Sequence, residues 1–369
     1  MAGRTARLYT IENDRLRARV TDYGGILVSF EVSAPSGGRE HILLGFENAA
    51  DYAACRGSFG ALLGRNANRI AGGSITIDGE AYSLSKNENG STLHGGAVGF
   101  GKQFWSVASA TGDSIALRLI SPDGDQGFPG QVDVTATYRL AGAALHLMFD
   151  ARTTKPTPLS LSAHPYFNLD GIDARDCLDH RVEIFAAGFL PTNENQIPTG
   201  EQRPVAGTVF DFPTPLPIGG RIRASDVQLR YGRGYDHYYI LPQEGAGQLR
   251  LAMRAYGARA RRILEILTTQ RGMQFYTGNN LDGSAPGRGG LYRQSAGFAI
   301  EPQGFPNAPN QPGFQPRSCG RVRPITRKSS TGSRSRRRDR RNHWRQRGSR
   351  SCRRPRIRGA KMGRCFDRP

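Results

Sequence analysis

Three residues stand out for their ability to move a proton. His164 lies in Ser162-Ala163-His164-Pro165-Tyr166-Phe167-Asn168-Leu169, a polar and aromatic cluster just after an apolar start. His94 lies in Leu93-His94-Gly95-Gly96, where glycines permit close approach of a ligand. Glu301 follows the apolar run Gly297-Phe298-Ala299-Ile300 and precedes Pro302-Gln303. A carboxylate at the end of a buried strand is partly desolvated, which raises its pKa and suits it to general-base work. Taken singly, each residue also has a plain structural reading: a hydrogen-bonded core histidine, or a paired charge at a strand end. His146, inside an alternating run, reads as structural or solvent-facing.

The elements that would position these groups read as strands and turns. In Arg15 to Val20, Leu16, Ala18 and Val20 share one face, and Arg15, Arg17 and Arg19 the other. Ile75 and Ile77 before Asp78-Gly79, with Tyr82 and Leu84 after it, predict a hairpin. Val132, Val134, Ala136, Tyr138 and Leu140, a turn at Ala141-Gly142, and Leu145, Leu147 and Phe149 predict another. Ile115, Leu117 and Leu119 supply a further strand. Residues 257–269 fit either a buried strand or a helical turn. Short strands punctuated by glycine (47) and proline (22) predict a single large all-β sandwich or barrel over 1–315, with ordered loops around Pro191–Pro217 and Pro302–Pro316.

The formal charge of +20 over 369 residues is unevenly spread. Residues 316–369 hold 21 Lys and Arg against two acids, while residues 1–315 hold 30 basic against 29 acidic groups. The body is nearly neutral, and the basicity belongs to the tail. Cys55 and Cys177 in the body form neither a disulfide framework nor a metal-ligand spacing. No apolar run is long enough for a membrane span, and the N-terminal residues carry no secretory pattern, so a cytoplasmic location is expected.

Six segments, in order, resemble the galactose mutarotase (aldose 1-epimerase) family. They are Gly64-Arg65-Asn66-Ala67-Asn68-Arg69-Ile70, Leu93-His94-Gly95-Gly96, His164-Pro165-Tyr166-Phe167-Asn168-Leu169, Gly234-Tyr235-Asp236-His237, Gln274-Phe275-Tyr276-Thr277-Gly278-Asn279 and Glu301-Pro302-Gln303. Leu190-Pro191-Thr192 through Ile197-Pro198-Thr199-Gly200-Glu201 to Asp211-Phe212 fits the same family, and the likeness runs from about Leu8 to Phe314.

The resemblance implies a large antiparallel β-sandwich with a hexose in a groove across one sheet. It also implies that Glu301 removes the proton of the anomeric hydroxyl and His164 protonates the ring oxygen. His94 would assist at the ring oxygen or a neighbouring hydroxyl. Asn68, Arg69, Asp236 and Gln274 would hold sugar hydroxyls, and Tyr166 would shape the pocket. Arg65 or Arg69 would face the ligand while the other is a buried structural group. Anomer exchange moves only protons, so no metal and no cofactor is expected. Mutual attraction is expected to favour an ionised Glu301 beside a protonated His164.

Rival readings keep the fold with a hexose-6-phosphate substrate, or keep sugar binding without catalysis. The phosphate reading would need a basic cluster at the sugar's C6 end, and none is evident in the body. Oligomeric state has no signature in the sequence. Residues 316–369 depart from the family, whose chains would close with a Leu-Arg-Pro-Gly turn and a strand ending near Tyr-Arg-Phe. A nucleic-acid-binding arm rests wholly on this tail and is not expected; the tail is expected to be disordered. One nucleotide sequence encoding residues 316–333, read instead from its third base, gives Ala-Val-Leu-Arg-Pro-Gly-Gln-Ala-Tyr-His-Gln-Glu-Ile-Val-Tyr-Arg-Phe. A frameshift near Gln315 or Pro316 is therefore the expected origin of the tail.

Overall fold

Alternation of apolar and polar residues decides which side of each strand is buried. In Leu16–Thr21, Leu16, Ala18 and Val20 are buried while Arg17 and Arg19 are only partly covered. The hairpin of Val132–Ala141 with Ala144–Thr153 pairs over its whole length, and Val132, Val134, Ala136, Tyr138 and Leu140 all point inward. The Asp78-Gly79 turn joins Ser74–Ile77 to Glu80–Ser83 as expected. The ambiguous segment resolves as strand Arg262–Thr268, with Leu264 and Ile266 buried. The computed structural model describes residues 4–34, 37–55, 57–242, 244, 247–314 and 361–367.

The architecture is a sandwich built on two large antiparallel sheets. The outer sheet has nine strands, in the order Ser106–Ala110, Ser114–Ser121, Val132–Ala141, Ala144–Thr153, Lys361–Asp367, Arg262–Thr268, Arg250–Tyr256, Arg181–Ile184 and Leu216–Pro217. The inner sheet has six: Tyr166–Phe167, Phe298–Gln303, Gly272–Tyr276, Asp236–Ile240, Gly188–Phe189 and Arg203–Pro204. One hydrophobic cluster runs between them, joining Leu117, Val134 and Leu147 of the outer sheet to Phe275, Phe298 and Ile300 of the inner one. A four-stranded sheet from Leu8–Glu12 to Arg39–His41 packs into the same cluster through Ala18, Val20 and Phe30. Helix is confined, among the described residues, to Ala49–Ala54, Val227–Gly232 and short 3₁₀ turns. None is long and apolar enough to cross a membrane.

The tail enters this fold at one place. Lys361–Asp367 is a strand between Ala144–Thr153 and Arg262–Thr268, antiparallel to both, so the expectation of a tail without structure does not hold there. The strands on either side each present a row of backbone donors and acceptors, which Lys361–Asp367 pairs. Both pairings carry a register shift, between Ala144 and Leu145 on one side and between Glu265 and Leu267 on the other. Residues 315–360 and 368–369, where the rest of the expected disorder and the proposed frame break fall, lie outside the described residues.

Arg65 shows how the fold holds its loops. Its guanidinium is 2% exposed and donates to the Ser121 hydroxyl (2.8 Å), to Phe128, Pro129 and Gly130 carbonyls (3.3, 3.0 and 2.7 Å) and to Ser121 and Pro122 carbonyls (3.1 and 2.5 Å). Burial lowers its pKa to about 10, with Asp125 and Asp123 opposing. Removing the side chain would orphan several buried acceptors at once. Arg65→Ala is expected to lower the unfolding free energy by about 3 kcal/mol or more in urea titration; a loss under about 1 kcal/mol would contradict that role.

Candidate active site

The inner sheet sends alternate residues to its two faces. On Phe298–Gln303, Phe298 and Ile300 enter the main core, which turns Ala299 and Glu301 to the opposite face. On Gly272–Tyr276, Met273 and Phe275 are core residues, leaving Gln274 and Tyr276 on the other side. Gln274 lies directly across from Glu301, and Tyr276 across from both Ala299 and Asp236. Tyr166 also pairs with Ala299. The period-two pattern therefore gathers Glu301, Gln274, Asp236 and Tyr166 on one surface, though they are far apart in sequence.

The two histidines reach that surface from loops. His164 follows Ser162–Ala163; its N–H donates to the Ala61 carbonyl (3.0 Å), and its own carbonyl accepts from Gly60 N–H (2.8 Å). Its Nε2 comes within 3.4 Å of Glu301 Oε1, both side chains being almost fully buried. His94 follows Thr92–Leu93, which pairs with Arg69–Ile70. Asn68 N–H donates to His94 Nδ1 (3.1 Å), which fixes the neutral tautomer bearing hydrogen on Nε2. The His94 and His164 rings meet edge to face at 5.6 Å, and Tyr166 lies 4.8 Å from His164. Gly95 has a φ of 91°, and a Cβ there would sit 1.9 Å from the Gly64 carbonyl oxygen, so only glycine lets this loop close on the Arg65 segment.

A cavity of about 1070 Å³ opens over this surface and is faced by Asn68, Arg69, His94, His164, Tyr166, Asp236 and Glu301. Seven of the eight expected site residues thus share one cleft. Gln274 instead reaches the cleft through Asp236, donating from Nε2 to Oδ1 at 2.6 Å. Between the two arginines, Arg69 faces the cavity and Arg65 is structural. Arg65 binds only carbonyl and hydroxyl oxygens.

Two groups of the cleft were not singled out in the sequence. Glu88 faces the cavity and holds Arg69, with Nε–Oε2 at 2.5 Å and Nη2–Oε1 at 3.2 Å. Gln196 touches both Arg69 and Asp236. Neither carries a local signal, because each acquires its role only when distant loops fold onto Arg69.

Burial controls the charges. Glu301 is pushed well above the usual carboxylate range by desolvation and then by Asp236, with Arg69 opposing. Desolvation lowers His164 to about 4. His94 is held well below the usual range by desolvation, then by His164 and Arg69. Asp236 is raised by desolvation, with Arg69 opposing. The expected charged pair is corrected accordingly: in the closed site burial favours a protonated Glu301 beside a neutral imidazole. The pair still holds one proton, and burial sets where it rests. His94, His164 and Glu301 also bring ligand atoms within 4.8 Å of one another, a spacing a metal ion could use, although the Arg69 cation nearby opposes it.

What the fold and cleft define is a β-sandwich with a cavity lined by ionisable and hydrogen-bonding side chains. The aldose 1-epimerase family model matches residues 7–324. A galactose mutarotase from Sus scrofa is 39% identical over 313 residues, covering 85% of this chain and 89% of that protein. An aldose 1-epimerase from Escherichia coli (strain K12) is 36% identical over 320 residues, covering 86% and 91%. Among solved structures, a GalM/aldose epimerase homologue from C. elegans superposes with a TM-score of 0.78 at 26% identity, covering 86% of this chain and 95% of that one. Galactose 1-epimerase from Lactobacillus acidophilus NCFM gives 0.73 at 27% identity, covering 85% and 90%. The chain belongs to the aldose 1-epimerase family. Its activity is that of an isomerase exchanging the anomers of a sugar.

Four buried histidines make the fold acid-sensitive. His94, His164, His180 and His237 all have depressed pKa values, His164 to about 4 and His237 to about 3, each chiefly through desolvation. The unfolded chain protonates these groups at about 6.5, so it binds more protons than the folded one just below that pH. Their contribution is complete above about 6.5 and is lost as pH falls toward 4; Glu301 and Asp236, raised by burial, act with the opposite sign but are fewer. Denaturant titrations at pH 7 and pH 5 are expected to show a lower unfolding free energy at pH 5; an unchanged or higher value would contradict this sign.

Proposed function

We propose that the chain interconverts the α and β anomers of free hexoses such as galactose or glucose, with Glu301 and His164 as the acid/base pair. The observation that carries this reading is the 3.4 Å approach of the two side chains inside one buried cleft. When a sugar enters, its hydroxyls replace water around the pair, and the proton moves from Glu301 to His164. Ionised Glu301 then takes the proton of the C1 hydroxyl as the C1–O5 bond breaks, and His164 gives its proton to O5. The open-chain aldehyde turns about C1–C2, and the reverse transfers close the ring on its other face. Protons are conserved at every step. The raised basicity of Glu301 makes it an effective base once ionised, and each positioned group contributes about 10²–10⁴-fold.

His94, with hydrogen on Nε2, acts as a neutral donor toward the ring oxygen or a neighbouring hydroxyl. Asn68, Arg69 and Asp236 hold the remaining hydroxyls, Gln274 steadies Asp236, and Tyr166 forms the wall. A free sugar is favoured over a sugar phosphate because the cations facing the cavity are Arg69 and Lys102, and Arg69 is already paired with Glu88. Cys55 and Cys177 are free thiols, which fits a reducing, cytoplasmic setting.

Polarimetry of freshly dissolved α-D-galactose or α-D-glucose tests the assignment. Glu301→Gln and His164→Asn are each expected to lower kcat by about 10²–10⁴-fold. Full activity in either would remove that residue from its role, and no activity in the unsubstituted chain would favour a sugar-binding sandwich without catalysis. The pH profile is expected to be bell-shaped. Its acid limb falls through about 4, where the pair gains a second proton on His164, and its alkaline limb marks loss of the shared proton.

The basic tail is read as the product of a frameshift near Gln315. The outer sheet supports this: its two four-stranded halves meet only through Lys361–Asp367, and that strand follows Phe314 after a long basic stretch. The alternative frame supplies a turn and an alternating strand directly after Gln315. Restoring that frame is expected to raise the unfolding free energy relative to the chain that carries the basic tail. Clean resequencing that shows an uninterrupted frame would end this reading.

A further inference from the structure

Gln196 sits between a cation and an anion and uses both ends of its carboxamide. Its Oε1 accepts from Arg69 Nη2 at 2.6 Å, and its Nε2 donates to Asp236 Oδ2 at 2.8 Å. A guanidinium only donates and a carboxylate accepts, so the direction of the amide is fixed by its neighbours. Asp236 uses its other oxygen, Oδ1, for Gln274. Arg69 takes Glu88 as its ion-pair partner, and among the described residues it makes no direct ion pair with Asp236. A cation and an anion therefore face the same cleft, separated by a neutral spacer with a donor at one end and an acceptor at the other.

The loop that carries Gln196 is built to hold it still. Asn193 N–H donates to the Ile197 carbonyl (3.0 Å), and Gln196 N–H donates to the Asn193 carbonyl (2.9 Å). The Asn193 side chain accepts from the Asn195 and Ile197 N–H groups (3.0 and 3.1 Å). At the loop's base, Thr192 exchanges two hydrogen bonds with the Gln228 side chain (2.7 and 2.9 Å). Gln196 itself has a φ of 58°, a left-handed conformation at the tip of this turn. None of these ties uses the Gln196 side chain, which is left for Arg69 and Asp236.

We propose that Gln196 is a positioning residue for sugar recognition: its carboxamide keeps Arg69 and Asp236 apart and oriented, so that neither neutralises the other and both present free hydrogen-bonding capacity to sugar hydroxyls. This rests on the reading of Arg69 and Asp236 as hydroxyl-holding groups. Without the spacer, the two charges would collapse toward each other in a medium where their attraction is strong. Substrate affinity would then suffer more than proton transfer, because Gln196 contacts neither Glu301 nor His164.

The test compares Gln196→Met and Gln196→Glu with the unsubstituted full chain, using galactose and glucose. Gln196→Met keeps the length and removes both polar ends. It is expected to raise KM by about tenfold while kcat changes less than about threefold. Gln196→Glu keeps the acceptor for Arg69 but sets a carboxyl against Asp236. Its KM is expected to fall relative to the unsubstituted chain as pH drops from 8 to 5, because a proton shared between the two carboxyls relieves their repulsion. A merely structural residue would not produce that pH-dependent recovery. Calorimetric titration of galactose into the same substitutions made on a Glu301→Gln background reads affinity without turnover. Unchanged KM and affinity in both variants would overturn the proposal, as would an equal loss of kcat with KM unaltered. If Glu301→Gln itself retains full activity, the acid/base assignment fails, and the calorimetry still decides the role of Gln196.

Discussion

Everything in the cleft depends on placing a carboxyl and an imidazole 3.4 Å apart where water is scarce. Taken out of water, each group resists its charge, and so the pair keeps one proton rather than separating it. The sandwich makes this possible by setting Glu301 in an inner strand, flanked by paired strands on both sides, while His164 arrives from a loop whose backbone is tied to Gly60 and Ala61.

The charges beyond the pair follow the same logic at longer range. Glu88, Arg69, Gln196, Asp236 and Gln274 form a continuous chain of hydrogen bonds along the cleft. Arg69 draws Glu301 toward ionisation while Asp236 pushes it the other way. A change in how these two are solvated therefore changes the basicity of Glu301 as well.

The strand pattern and the site motifs were legible in the sequence because both are written locally. Leu16, Ala18 and Val20 announce a buried face through alternation, and the glycines after His94 announce a close backbone approach. Residues 257–269 were not decided, since a short apolar run suits a strand or a helix until its neighbours are known. The roles of Glu88 and Gln196 were hidden for a different reason: each meets Arg69 only across loops far apart in the chain. The protonation of the pair was not legible because attraction between opposite charges is visible from residue types, whereas the desolvation that opposes it depends on packing.

The outer sheet adds a constraint on the chain's end. Ala144–Thr153 and Arg262–Thr268 both lie beside Lys361–Asp367, and each carries core residues, Leu145 and Leu147 on one side and Leu264 and Ile266 on the other. A strand must fill this gap, or two rows of backbone donors and acceptors stand open beside the core. Any seven-residue segment can satisfy the backbone, but only one with apolar residues at alternate positions also completes the core. The alternative frame after Gln315 offers Tyr, Ile, Tyr and Phe on one face of such a strand, whereas Lys-Met-Gly-Arg-Cys-Phe-Asp alternates poorly. Glu301 and His164 both precede this gap in sequence, yet the core beneath the inner sheet is shared with it.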